Sequence, residues 1–421
     1  MNFVWLLLVA MLALGQSPAG VFIGELSGGM VGKLRLGLEV KMAADGTLSG
    51  EMVSIDQAYA KLPAKSIVLE GKTLKIALGL IAASYEGVLS EDGATITGTF
   101  TQGAPIALIF KRVSELPKPA RPQEPKPPFP YESEDVSFAG GAADVTLAGT
   151  LTKPMGAGKF AAIVLISGSG PQDRNEEIAL HKPFLVWSDT LTRAGFAVLR
   201  YDDRGTARST GKFKGSTSVD FGKDAAGAVA YLRGRKDIDA AKIVVMGHSE
   251  GGMIAPILAA EDAKLAGIVL LAGSGVSGER ILRKQIPDLN RAAGMNEEAS
   301  QANAKMILER MEATRATDPW MANFWDYDPA TALRKVKCPV LALNGELDKQ
   351  VNAADNLGAI EAALKEGGNR DVTVRTMPKL NHLFQTAVTG GGQEYGKIEE
   401  TVAPLALDTV TLWLKKTLAM K

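Results

Sequence analysis

An α/β fold, with a mostly parallel sheet covered by helices on both faces and a small antiparallel β-domain ahead of it, is what this 421-residue chain predicts. Three observations carry that prediction. Short apolar runs alternate with helix-compatible stretches through the larger C-terminal part, as strands buried on both faces of a parallel sheet require. Before residue 114 the pattern is period-two alternation broken by Asp-Gly turns, which is the mark of an antiparallel meander. Between the two, seven of the chain's 20 prolines fall within Pro117 to Pro130, a stretch that can neither continue a helix nor pair as a central strand.

Taken in order, residues 1–19 read as an export signal. The apolar run from Phe3 to Leu14 is shorter than the roughly 18 residues that span a bilayer, and Ser17-Pro18-Ala19 gives a small-x-small cleavage pattern. The n-region carries no Lys or Arg, and no Cys follows the run to take a lipid. Removal of this segment predicts an exported protein, periplasmic or secreted, with no stable membrane insertion afterwards. In residues 20–113, Leu34, Leu36, Leu38, Val40 and Met42 alternate with polar or small residues, as do Ile106, Leu108 and Phe110. Asp45-Gly46 and Asp92-Gly93 supply turns and hint at a weak repeat. A meander closing into a small barrel or sandwich fits best, and its role is not legible. Residues 114–130 then read as a stiff, extended linker.

Residues 131–421 carry the alternating pattern. Strands are predicted at Ala161–Ile166, Ala197–Tyr201, Ile243–Met246, Gly267–Leu271, Cys338–Asn344 and Val372–Met377, and helices at Ser218–Arg235, Ala353–Lys365 and Thr401–Lys416. Roughly residues 276–327 form an insertion rich in helix formers that holds Trp320, Phe324 and Trp325. A helical cap over a site is one use for it; a helical pair packed on the core is the other.

Chemistry concentrates at Gly247-His248-Ser249-Glu250-Gly251-Gly252. The motif follows the apolar strand Ile243–Met246 and precedes the helix-compatible Met253–Ala260, so it is a G-x-S-x-G nucleophile elbow in strand-turn-helix context. A serine hydroxyl needs a base. The chain has three histidines: His181 lies upstream, the elbow aims His248 elsewhere, and His382 alone is downstream, as the order Ser, acid, His requires. The acid belongs at the end of the strand between them, where Asp348 is the first candidate and Glu346 the fallback. Donors for an oxyanion are expected from the backbone N–H of Glu250 and from that of Ser169, in the loop Ser167–Pro171 after the strand Ala161–Ile166. That loop lacks the Lys-Ser/Thr ending of a P-loop and the spacing of a dinucleotide fingerprint, so no nucleotide cofactor is predicted. Asp202 and Asp203 lack further ligands for a metal, and a salt bridge with Arg204 is the expectation there.

The elbow, the segment Ser167 to Asn175 and the segment Arg200-Tyr201-Asp202-Asp203-Arg204-Gly205 together make residues 131–421 resemble an α/β-hydrolase of the serine esterase group, near its serine aminopeptidase and prolyl-oligopeptidase branches. The resemblance implies the α/β-hydrolase fold and a triad of Ser249, Asp348 and His382. One departure is visible: such proteins often show R-G-x-G-x-S where this chain has Arg204-Gly205-Thr206-Ala207-Arg208-Ser209. Lys+Arg and Asp+Glu balance at 47 each, which gives no electrostatic reason to expect nucleic acid as a partner. The single Cys338 excludes an internal disulfide. An esterase on small-molecule esters with short to medium acyl chains is the leading reading; a serine peptidase, or a binding protein on a hydrolase scaffold, are the alternatives.

Overall fold

The computed structural model describes residues 17–27, 33–57 and 59–420, so the export signal proposed for residues 1–19 lies almost wholly outside them. Two compact units divide the chain, Met1–Pro119 and Ala120–Lys421.

In the first unit nine strands form one antiparallel sheet: β1 (Gly20–Ser27), β2 (Lys33–Met42), β3 (Leu48–Ser54), β4 (Ala60–Pro63), β5 (Ser66–Glu70), β6 (Thr73–Leu78), β7 (Ala83–Leu89), β8 (Thr95–Gln102) and β9 (Ala104–Val113). Their spatial order is β4-β3-β2-β1-β9-β8-β7-β6-β5. Only two residues separate β4 from β5, a reach of at most about 14 Å between their ends. The two edge strands therefore approach each other at that connection, so the sheet curls on itself. Alternation supplies its interior: Leu36, Leu38 and Val40 from β2 pack with Leu108 and Phe110 from β9, while Met42 emerges into solvent. Both predicted Asp-Gly turns are present, with the aspartate accepting the N–H two residues on and each glycine at positive φ.

The second unit is an eight-stranded sheet of β10 (Tyr131–Ala139), β11 (Thr146–Pro154), β12 (Phe160–Ile166), β13 (Ala197–Tyr201), β14 (Ile238–His248), β15 (Gly267–Leu271), β16 (Val340–Gly345) and β17 (Val372–Met377). The order is β10-β11-β13-β12-β14-β15-β16-β17, and every pairing from β13 to β17 is parallel. Successive residues of the central strands feed opposite cores. Val245 points to a face covered by Ala225, Val229, Ile254 and Leu258; Val244 and Met246 point to one covered by Trp187, Leu191, Val410 and Leu414.

Between β15 and β16 the helices Gly278–Ala292, Glu297–Thr314 and Pro319–Asp326 enclose their own small core of Leu282, Ile286, Ala304, Met321 and Trp325. This is the helical cap. Among the described residues no helix is long and apolar enough to cross a membrane.

The proline-rich segment, expected over 114–130 as a stiff, extended linker, is also bonded along part of its length. Prolines deny it helix and ladder, yet the side chains between them strap it to the second unit. The Arg121 guanidinium donates to the carbonyls of Ala179, Leu180, Gly396 and Ile398. Gln123 donates to the Val402 carbonyl and accepts from the N–H groups of Thr401 and Val402.

Candidate active site

Four of the parallel strands end beside one another at their carboxyl edge, and the loops leaving β12, β14, β16 and β17 carry the candidate residues. Ligands of open α/β sheets bind at this edge. After β14 the chain turns through Ser249 at φ 53°, ψ −114°, a left-handed conformation that L side chains rarely adopt. Its N–H is held by the Leu271 carbonyl at 2.8 Å. The flanking glycines are sterically required: a Cβ on Gly247 would sit 2.0 Å from the Gly251 carbonyl oxygen, and one on Gly251 would sit 2.1 Å from that of Ile166. The helix Glu250–Glu261 starts immediately after, so the Glu250 N–H has no preceding turn to bond.

Asp348 follows β16 and His382 follows β17. His382 Nδ1 lies 2.8 Å from Asp348 Oδ2, and both side chains are buried. The other carboxylate oxygen of Asp348 accepts the N–H groups of Gln350 and Val351 at 2.7 and 2.8 Å, so the acid cannot rotate away. Glu346 takes no part; it is exposed and accepts the Lys379 N–H. His382 Nε2 makes no hydrogen bond among the described residues, and none joins it to the Ser249 hydroxyl. Catalytic hydrogen bonds of this kind tighten when substrate binds.

Loop 167–176 packs against Ser249. Gly168 N–H is committed to Glu176 Oε1 at 2.6 Å, which leaves Ser169 as the next backbone donor of that loop. Gly168 is close-packed: a Cβ there would lie 3.2 Å from Ser249 Cβ. The buried Glu250 carboxylate accepts the Ser218 hydroxyl at 2.5 Å and the indole N–H of Trp320 at 2.8 Å, and burial raises its pKa. Trp320 thereby ties the cap to the residue after Ser249. Its ring stacks on Phe324 and forms one wall of a groove of about 520 Å³ that Phe213, Ser216, Thr314 and Asp318 also line.

Several residues stand differently from the sequence reading. His248 is not aimed away from the site. Its Nδ1 lies 2.8 Å from Glu176 Oε1, its Nε2 lies 3.0 Å from the His382 carbonyl oxygen, and its ring centroid is 4.9 Å from that of His382. Glu176, at φ 52°, carried no motif and was reachable only through the fold. Neither Asp202 nor Asp203 bonds Arg204, which pairs instead with Asp224. Asp202 pairs with Arg174 at 2.7 Å. Asp203 accepts Ser167 Oγ and the Gln172 N–H, and burial pushes its carboxyl up to about 8. His181 is fully buried against Thr401 and the Tyr395 carbonyl. Cys338 is only partly buried. Among the described residues no group of three or more His, Cys, Asp or Glu could hold a metal ion.

The chain is similar to several known proteins. Esterase EstD of Thermotoga maritima is 29% identical over 358 residues, covering 80% of this chain and 81% of its own. Among solved structures, an esterase of Pyrococcus furiosus aligns with 68% of this chain and 93% of its own at 16% identity and a TM-score of 0.45. An α/β hydrolase from a Penicillium species aligns with 69% and 100% at 18% identity and a TM-score of 0.49. The sequence profile of the α/β hydrolase family matches residues 163–387, more than half of the chain, and the protein belongs to that family.

Proposed function

We propose that the protein is a serine esterase that cleaves carboxylic esters of short to medium acyl chains through an acyl-enzyme. The observation that carries this reading is the buried Asp348–His382 pair, whose Nδ1 is fixed by the acid and whose Nε2 is left unspent. Ser249 Oγ attacks the ester carbonyl carbon while His382 Nε2 takes the hydroxyl proton, and Asp348 stabilises the imidazolium that results. The N–H groups of Glu250 and Ser169 receive the negative oxygen. Collapse breaks the bond to the alcohol, which leaves with the proton from His382. Water then repeats the sequence on the acyl-enzyme and frees the acid and Ser249. The 29% identical esterase supports the substrate class, and the leader-like first 19 residues support an exported location.

Ser249→Ala should reduce kcat about 10⁴-fold or more on p-nitrophenyl esters, leaving only oxyanion and binding effects. A fluorophosphonate should label wild-type protein at Ser249 by peptide mass spectrometry. An adduct elsewhere, or an active alanine variant, would discard the nucleophile. Aminoacyl arylamides cleaved faster than the esters would replace the esterase by the peptidase.

A further inference from the structure

Glu176 and His248 form a second buried histidine–carboxylate pair that the proposed chemistry does not use. Glu176 Oε1 accepts both the Gly168 N–H, at 2.6 Å, and a hydrogen bond with His248 Nδ1, at 2.8 Å. On the far side of the ring, His248 Nε2 faces the His382 backbone carbonyl at 3.0 Å. A carbonyl only accepts, so Nε2 carries a proton. Nδ1 faces a carboxylate, so a proton lies on that line too. An unbroken chain thus runs from the loop that supplies the Ser169 N–H, through Glu176 and His248, to the backbone of the base.

We propose that Glu176 and His248 are positioning residues, an imidazolium–carboxylate brace that fixes the oxyanion loop and the His382 loop against each other; the proposal rests on the esterase reading. Its geometry accounts for a glutamate held at positive φ and fully buried, and for a histidine directly before the nucleophile. The charges point the same way. Burial alone would lower the His248 pKa, but the charge and hydrogen bond of Glu176, the His382 carbonyl and the charge of Asp348 raise it overall. The groups facing His248 are Glu176 from loop 167–182, Asp348 from the loop after β16, and His382 with Phe384 from the loop after β17. Asp203 stands within electrostatic reach of Glu176.

The test combines wild-type spectroscopy with two variants. With three histidines in the chain, ¹⁵N-histidine spectra resolve each ring, and at pH 6.5, where a free imidazole is half protonated, His248 should be mostly doubly protonated; a ring no more protonated than a free one overturns the brace without any variant having to fold. Glu176→Gln and His248→Gln should be assayed per fluorophosphonate-labelled site, which removes misfolded protein from the count. Expected is a kcat loss of about 10- to 100-fold with KM within about threefold. Unchanged kcat per labelled site would also overturn the brace. Wild-type protein that neither labels nor hydrolyses esters would instead defeat the esterase reading, leaving the histidine spectra to decide the brace alone.

Discussion

Two histidine–carboxylate pairs lie side by side at the carboxyl edge of the sheet, and they differ at one nitrogen. In both, Nδ1 stands 2.8 Å from a carboxylate oxygen and both partners are buried. His248 spends its Nε2 on a backbone carbonyl, while His382 Nε2 makes no hydrogen bond among the described residues. A general base needs a free lone pair, so only the second pair can accept a proton from a neighbouring hydroxyl. His181 is a third case. Buried without a carboxylate, it bonds Thr401 and Gln385 side chains and the Tyr395 carbonyl, and it is built into structure on every side. What a histidine can do here is set by what its second nitrogen faces.

The comparison breaks most visibly at the acid. Asp348→Asn should lower kcat by about 10⁴, because the amide can donate to Nδ1 and so favours the wrong tautomer of His382. Glu346→Gln should change kcat by less than about threefold, since that side chain is exposed and bonds only the Lys379 N–H. Steady-state kinetics on one p-nitrophenyl ester check both. Comparable losses in the two variants would dissolve the distinction between the two carboxylates.

The next effect concerns stability. Burial, with the nearby Arg121 charge, lowers the His181 pKa to about 4 from the 6.5 of a free histidine. The unfolded chain therefore takes up a proton between those values that the folded protein refuses. Stability falls as pH drops through 6.5, and the loss is complete near pH 4, on the order of 3 kcal/mol. His181→Gln should lose this dependence. Urea unfolding followed by tryptophan fluorescence at pH 7.5 and 4.5 reports it, since Trp187, Trp320, Trp325 and Trp413 all belong to the second unit. An identical pH slope in variant and wild type would contradict it.

The straps around His181 give a smaller effect. A fragment beginning at Tyr131 loses Arg121 and Gln123, and the carbonyls of Leu180, Gly396 and Val402 lose their donors. A net cost of about 2 kcal/mol should lower its Tm by several degrees relative to a fragment beginning at Lys118. Equal melting temperatures would return residues 120–130 to the role of a passive linker.

The strand alternation, the Asp-Gly turns and the elbow are local patterns of two to six residues, which is why they are legible in the sequence. Ser249 is named by spacing, and His382 by being the one histidine downstream of it. Asp348 is the first candidate and Glu346 the fallback; two residues apart on a turn they face different sides, Asp348 toward His382 and Glu346 toward Lys379 N–H. Glu176 and His248 were out of reach. Their partnership spans 72 residues, and an elbow pattern speaks only for its serine. The prolines foretold the absence of helix and sheet in residues 117–130, but not that the arginine and glutamine between them would reach carbonyls far along the chain.

The smallest prediction tests whether unusual backbone always serves the site. Ser249 and Ala207 both occupy the left-handed region, at φ 53° and 46°. At Ser249 the conformation presents the hydroxyl. At Ala207 it merely turns the loop whose Ser209 hydroxyl bonds the Asp202 carbonyl. Alanine in this region costs about 1 kcal/mol, and glycine there recovers part of that while gaining freedom in the unfolded chain. Ala207→Gly should therefore raise Tm by about 1 to 2 °C and leave kcat/KM unchanged. Calorimetry beside an ester assay decides it. A lower Tm would mean that the alanine methyl makes contacts worth more than its strain, and a changed kcat/KM would place this loop in reach of the substrate.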